Sequence, residues 1–217
     1  MYTSTSTKGS SSAFNVLNFE FTAPHPAQDR DLLQNLAFIP GLKEILTLRQ
    51  VHALEHATVW VLSESKSPYA PMRTRSHFQI DNELLGGLST ERGFYLYGDV
   101  NISDLRRAVT LALRRLIQGE WDLAVHPRCG TNVSVSMVLT AGLAVGMHLL
   151  LPRGPIEQLI GFGLAATTAA ELSPEIGALA QRYLTTSIPF NLEVETITRT
   201  RDVWGREAHF VTVCWRE

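Results

Sequence analysis

The sequence predicts an α+β fold in which a buried helix and β-hairpins pack beside a two-helix transmembrane hairpin. The buried helix is predicted from Leu42 to about Ser63, because this stretch lacks glycine and proline and is apolar around nearly its whole circumference. Two long apolar stretches within residues 133–172, separated by a tight turn, predict the transmembrane hairpin. Residues after Pro189 alternate with a period of two and turn back at residues 202–205, which predicts a β-hairpin.

We expect four parts along the chain. Residues 1–40 form a disordered or irregular lead-in, because their start is rich in serine and threonine and several prolines follow. Residues 41–132 form an α+β region that carries the metal-binding motifs described below, and residues 133–172 form the transmembrane helical hairpin. Residues 173–217 contribute the end of a helix and the β-hairpin that completes the α+β region.

The shorter elements follow from local signals. One helix is expected at residues 29–38, and residues 64–82 are expected to form an exposed loop because they are rich in serine, proline and charge. An aromatic run at residues 93–98, bounded by glycines, predicts a short strand. Ser103 and Gly119 are residue types that cap helices at the two ends, so they bound the next predicted helix.

The membrane prediction depends on charge and length. Residues 133–151 carry no charged side chain and would span about 28 Å as a helix, close to the thickness of a bilayer's hydrocarbon core. Residues 156–172 are rich in glycine, alanine and threonine, the small residues that let helices approach closely in lipid. We therefore expect an integral membrane protein in contact with the lipid bilayer, with both termini on the same side. The placement of Arg128 and Arg153 favours the cytoplasmic side. The alternative is a buried helical hairpin in a soluble core.

The composition of the chain excludes several classes of function. Apolar residues make up 45% of the 217 residues and charged residues only 18%. The net charge of −2 gives no electrostatic basis for binding nucleic acid. Two cysteines, Cys129 and Cys214, cannot build a disulfide framework. Glycine-rich phosphate loops and dinucleotide fingerprints are absent from the sequence.

The segment from His52 to His56, with the sequence His-Ala-Leu-Glu-His, is the strongest chemical signal. Two imidazoles four residues apart on a helix lie on one face about one turn apart, so both can reach the same ion. Glu55 flanks that face, where a carboxylate could act as a general base toward water. The pattern H-x-x-E-H is the inverse of the zinc-peptidase motif.

A second motif runs from His126 to Asn132 and immediately precedes the first apolar stretch. Thr131 or Asn132 could cap the helix that begins there, which places Cys129 near a helix N-terminus and favours its thiolate. With His52 and His56, the candidate zinc ligands then include His126 and Cys129. Four protein ligands would make a closed structural site, whereas three would leave a position for water.

The chain resembles an uncharacterised domain-of-unknown-function family of small membrane proteins found chiefly in photosynthetic bacteria. The resemblance rests on H-x-L-E-H-A, on G-F-Y-L-Y-G, and on H-P-R-C-G-T-N ahead of a two-helix hairpin, over roughly residues 42–215. A more distant likeness joins it to a bacterial multi-pass family that pairs H-x-x-E-H with H-P-R-C-G-T-S, where Asn132 replaces the final serine. The shared motifs imply that His52, Glu55, His56, His126 and Cys129 form one spatial cluster.

Three functions are compatible with these motifs. The first is a membrane-associated zinc-dependent hydrolase, peptidase-like, with Glu55 as general base and a peptide or small molecule as substrate. The second is a non-catalytic membrane metalloprotein that acts as a scaffold or assembly factor for a protein partner in the membrane. The third binds no ion: either His126 and Cys129 form a thiolate–imidazolium pair, or all of the motif residues simply pack in the core.

Overall fold

Five α-helices and a four-stranded antiparallel sheet make up the part of the chain that this computed structural model describes, residues 24–66 and 84–216. The elements in chain order are α1 (Gln28–Asn35), α2 (Leu42–Lys66), β1 (Gly86–Thr90), β2 (Gly93–Tyr97), α3 (Ile102–Ile117), a 3-10 turn (Trp121–Ala124), α4 (Gly130–Leu150), α5 (Pro155–Ala180), a π-helical turn (Gln181–Thr185), β3 (Leu192–Arg201) and β4 (Glu207–Trp215). The predicted α+β class is confirmed. Residues 64–66, expected to open a loop, continue α2; the rest of that loop and the serine-rich start of the lead-in lie outside the described residues.

The core forms where α2 packs against α3, the 3-10 turn and the inner face of the sheet. Leu54 of α2, Phe94 and Leu96 of β2, and Leu105 and Leu116 of α3 are fully buried there. The prediction of a buried motif helix is therefore confirmed. Its apolar circumference reflects neighbours on several sides rather than a single buried stripe.

The strands form a sheet in the order β1-β2-β4-β3, so the predicted C-terminal hairpin adds to the strand predicted at residues 93–98. The register between β3 and β4 shifts between Val194 and Thr196, a β-bulge that leaves Glu195 without a paired residue. After this bulge, the side chains of β3 that face the core are those at odd-numbered positions instead of even-numbered ones. Leu192 and Ile197 are therefore both buried, although they are five residues apart. A strict period of two would have put them on opposite faces, and the structure corrects that expectation.

The caps of α3 differ in part from the prediction. Asn101 is the N-cap, and its side-chain oxygen accepts a hydrogen bond from the Ser103 backbone N–H at 2.9 Å. Ser103 therefore lies inside the first turn instead of capping it. Gly119 follows the helix with a φ of 106°, a left-handed conformation in which glycine is favoured, as expected for the C-terminal end.

Helices α4 and α5 form the predicted helical hairpin, joined by residues 151–154. Among the described residues one helix, Gly130–Leu150, is long and apolar enough to cross a membrane. The buried residues of α5 are all small, and they recur at every fourth position along one side of the helix: Gly161, Ala165, Ala169, Ser173 and Gly177. Small side chains at this spacing let two helix backbones come close together.

The turn of the C-terminal hairpin is tied to β2 through one carboxylate. Asp202 Oδ1 accepts the backbone N–H groups of Trp204 and Arg206, each at 2.9 Å. Its Oδ2 accepts the Tyr97 hydroxyl at 2.8 Å and Arg206 Nε at 2.7 Å. Burial opposes ionisation, but these donors outweigh it and lower the pKa of Asp202 to about 2.

We expect Asp202→Asn to lower the melting temperature at neutral pH by a few degrees, because the amide NH2 that replaces Oδ2 can accept a hydrogen bond from neither Tyr97 nor Arg206. The folded-state pKa lies below the ordinary value, so the stabilisation is present above about pH 4 and is lost as the pH falls toward 2. Thermal melts between pH 2 and 7 measure both effects. Asp104→Asn, at an exposed ion pair with Arg107, is the matched control and should change little. Equal effects of the two substitutions would contradict the proposed role of Asp202.

Candidate metal centre

Helix α2 presents His52 and His56 one turn apart, as the sequence spacing requires. Their ring centroids lie 4.3 Å apart and the rings meet edge to face. His56 is buried and His52 is half-buried at the wall of a cavity.

Two backbone carbonyls fix the orientation of these rings. His52 Nδ1 lies 3.0 Å from the Thr185 carbonyl oxygen, and His56 Nδ1 lies 2.7 Å from the Ala124 carbonyl oxygen. A carbonyl only accepts, so each Nδ1 carries the proton and each neutral ring keeps its lone pair on Nε2. This is the outer hydrogen bond that metal-binding histidines usually make, and it leaves both Nε2 atoms available to an ion.

Cys129 brings the third donor atom. Its Sγ lies 3.2 Å from His52 Nε2, and it accepts the Thr131 backbone N–H at 3.4 Å as the N-cap of α4. The N-cap of α4 is therefore Cys129, and not Thr131 or Asn132 as the sequence had suggested. Burial raises the pKa of the thiol, but the adjacent His56 and the Thr131 N–H outweigh it, and the net pKa is lowered.

One ligand atom from each of His52, His56 and Cys129 lies within 4.8 Å of the other two. The donors of a tetrahedral zinc ion with two nitrogen ligands and one sulfur ligand are separated by about 3.3–3.6 Å, so small side-chain adjustments would close the set around an ion. The three residues could therefore hold a metal ion.

His126 lies beside this group but is not part of it among the described residues. Its ring packs against Trp60, with centroids 4.6 Å apart, and lies 5.6 Å from the His56 ring. Its Nδ1 accepts the Arg128 backbone N–H at 3.3 Å. The structure thus places His126 next to the converging donors, where its ring packs against Trp60 and its side chain lines the same cavity.

Glu55 is buried against β1. Its Oε2 accepts the Ser89 hydroxyl at 2.8 Å, and its Oε1 would lie 2.0 Å from a Cβ built on Gly87. The glycine therefore provides the space that the carboxylate fills. Burial raises the pKa of Glu55, and the opposing effects of His52 and of the Ser89 hydrogen bond are smaller.

A chain of amide hydrogen bonds holds the second motif in place. The His126 backbone N–H donates to Gln181 Oε1 at 2.8 Å, and Gln181 Nε2 donates to Asn132 Oδ1 at 2.7 Å. Asn132 Nδ2 in turn donates to the Pro127 carbonyl at 2.7 Å. Gln181 is fully buried in the π-helical turn that also carries Thr185. This turn therefore supports both the Cys129 segment and His52.

Sequence reasoning gave no role to Gly87, Ser89, Gln181 or Thr185. Ser89 and Gly87 lie in the segment just before the aromatic strand, but a small residue near a turn does not by itself signal a partner for Glu55. The Thr185 and Ala124 contacts are made by backbone carbonyls, which no side-chain pattern records.

A cavity of about 640 Å³ opens beside the cluster. The three candidate ligands, Glu55 and His126 line it, together with four residues of β1 and the first residues of α4. Aliphatic side chains at its rim (Ile45, Leu48 and Leu184) are exposed. A cavity of this size accommodates a small molecule or several residues of a peptide.

Comparison with known proteins agrees with the family suggested by the motifs. An uncharacterised protein from Picosynechococcus sp. is 49% identical over 198 residues, which cover 91% of this chain and 94% of the relative. No solved structure matches the chain. A family profile described as a domain of unknown function, DUF6391, matches residues 47–197, a range that contains the whole candidate metal centre. The chain therefore belongs to the DUF6391 family.

Proposed function

We propose that this protein is a membrane-associated, zinc-dependent hydrolase. The observation that carries the proposal is the convergence of three donor atoms, from His52, His56 and Cys129, at the wall of an open cavity that also contains Glu55. Catalytic zinc sites use three protein ligands and keep the fourth position open, whereas structural sites use four. The position of His126 outside the group supports the open arrangement.

The chain's own residues have distinct roles in this proposal. His52 and His56 hold the ion through Nε2, and the Thr185 and Ala124 carbonyls keep those atoms turned toward it. Cys129 contributes a thiolate. Zinc, when bound, supplies Lewis acidity and activates water. Glu55, buried in the wall of the same cavity, accepts a proton from that water.

The hairpin of α4 and α5 supports attachment to a bilayer. α4 buries none of its residues in the described structure, and the apolar side chains on its outer surface are exposed, Val138 by 72% and Leu149 by 77%. The small-residue face of α5 suits a helix pair that is surrounded by lipid. We propose that both helices cross the membrane and that both termini lie on the cytoplasmic side. Cys129 and Thr185 then lie at the membrane-proximal ends of the hairpin.

A non-catalytic metalloprotein is the second candidate, and one observation favours it. The donor set joins the middle of α2 to the N-cap of α4, so a bound ion would cross-link the α+β region to the hairpin. Such an ion would add directly to the free energy of folding. A scaffold of this kind could hold a protein partner in the membrane. Metal-dependent stability without any hydrolytic activity would distinguish it from the hydrolase.

We predict that detergent-purified protein holds about one zinc ion per chain and that His52→Ala and Cys129→Ala each lose it, because two remaining ligands bind zinc weakly. Elemental analysis measures the content directly. His126→Ala should retain the ion, which separates a three-ligand site from a four-ligand site. His25→Ala, on an exposed histidine, is the matched control. Loss of zinc in His126→Ala would contradict the open arrangement.

We predict that Glu55→Gln keeps its zinc but loses hydrolytic activity by at least about 100-fold, since an amide cannot accept the proton. The oxygen of the introduced amide can still accept the Ser89 hydroxyl, so the fold should be preserved. Zinc content, melting temperature and turnover of a broad peptide and ester panel are measured on the same samples. Unchanged turnover would exclude Glu55 as the base, and a zinc-loaded wild type inert to the whole panel would favour the scaffold.

We predict that the protein stays in the membrane fraction after an alkaline carbonate wash. A charge on the outer surface of α4 should weaken insertion, because arginine in the apolar core of a bilayer costs about 2.5–3.5 kcal/mol. Val138→Arg should therefore reduce the membrane-bound fraction. Val203→Arg, at a comparably exposed position in the β3–β4 turn, is the matched control and should not. Release of the wild type into the soluble fraction would contradict the proposal.

A further inference from the structure

Strand β1 is the edge strand of the sheet and forms one wall of the cavity. Four of its residues (Gly86, Gly87, Leu88 and Ser89) line the cavity together with His52, His56 and Cys129. No other strand in residues 24–66 and 84–216 pairs with its outer edge. The residues of β1 are exposed or half-buried, in contrast to the largely buried β2 beside it.

An edge strand has backbone groups that point away from its partner strand. In an antiparallel pair, the N–H and C=O groups of alternate residues point away from the partner strand. β1 pairs with β2 along its full length, from Gly86 with Tyr97 to Thr90 with Gly93, with no shift in register. An added chain could therefore bond to the outward groups of β1 without any change in the sheet.

The candidate base lies over the same strand. Glu55 fits against the bare backbone of Gly87 and accepts the hydroxyl of Ser89, two residues that share one face of β1. A chain paired with β1 would therefore carry its backbone carbonyls past Glu55 and the three candidate ligands. The glycine at position 87 is what allows carboxylate and strand to lie this close together.

We propose that the cavity binds an extended polypeptide, which adds to β1 as a fifth strand and is cleaved at an amide bond. This inference rests on the hydrolase proposed above and names its substrate class. Water adds to the amide carbonyl carbon, the C–N bond breaks, and the nitrogen leaves as an amine after taking up a proton. The products are a carboxylate and an amine. Glu55 takes the proton from water and can return it to the leaving nitrogen.

The chemistry of the wall favours a polypeptide over a lipid ester. A strand edge offers donors and acceptors at a regular repeat, which a peptide backbone matches at every second residue and an acyl chain cannot match. The exposed Ile45, Leu48 and Leu184 at the rim favour apolar side chains on that peptide. The cavity therefore suits an apolar, unfolded segment.

The test uses full-length, zinc-loaded protein and a leucine- and alanine-rich octapeptide that ends in a hydroxamate, which binds the ion and fixes the register. Two further peptides carry N-methyl groups on one or the other alternate set of amides. Only one set faces β1, so we expect methylation of that set to weaken binding by about tenfold or more and methylation of the other by less than about twofold. Hydrogen–deuterium exchange should show protection of residues 86–90 by the unmodified peptide.

Equal affinities for the three peptides, or protection that falls elsewhere than β1, would overturn the inference. Acetohydroxamate, which has no peptide chain, separates this failure from failure of the proposed function. If acetohydroxamate binds zinc-loaded protein and the peptide gains nothing over it, the metal site stands and the strand addition is wrong. If the protein holds no zinc and neither compound binds, the hydrolase itself is wrong, and the strand addition proposed here fails with it.

Discussion

The candidate centre depends on two hydrogen bonds from histidine rings to backbone carbonyls. These bonds fix the tautomer of His52 and His56 and hold the Nε2 atom of each ring on the side that faces Cys129. The Thr185 carbonyl belongs to a π-helical turn and the Ala124 carbonyl to a 3-10 turn, both departures from regular helix that leave carbonyl oxygens unpaired within the helix. The irregular turns therefore provide the acceptors that the regular helix α2 needs for its two ligands.

The same turns join the helical hairpin to the rest of the molecule. The segment before α4 supplies Cys129, and the segment after α5 supplies Thr185 and Gln181. Gln181 links the two segments, because it bonds both to Asn132 and to the His126 backbone. The hairpin and the cluster consequently cannot be positioned independently, and an ion at this place would lie at the junction of the two parts.

Much of this arrangement could be predicted from the sequence, where side-chain type and period carry the information. The apolar circumference of α2, the alternation of the C-terminal strands and the spacing of His52 and His56 are local properties, and the structure has each of these elements. The bulge at Glu195 and the cap at Asn101 could not be foreseen, because they depend on register and on backbone direction at a single residue. His126 and Cys129 lie three residues apart in one turn, so only the backbone path decides which side chain faces the ring nitrogens.

The π-helical turn also makes the length of a segment matter as much as its residues. Each residue of a regular helix rotates the chain by about 100°, so a segment shortened by one residue would offer a different carbonyl to His52. The Thr185 hydroxyl, now 3.1 Å from that of Thr131, would be displaced together with it. A one-residue deletion within α5, between Pro155 and Ala180, would therefore disturb the centre while leaving every ligand, and every residue around the cavity, chemically intact.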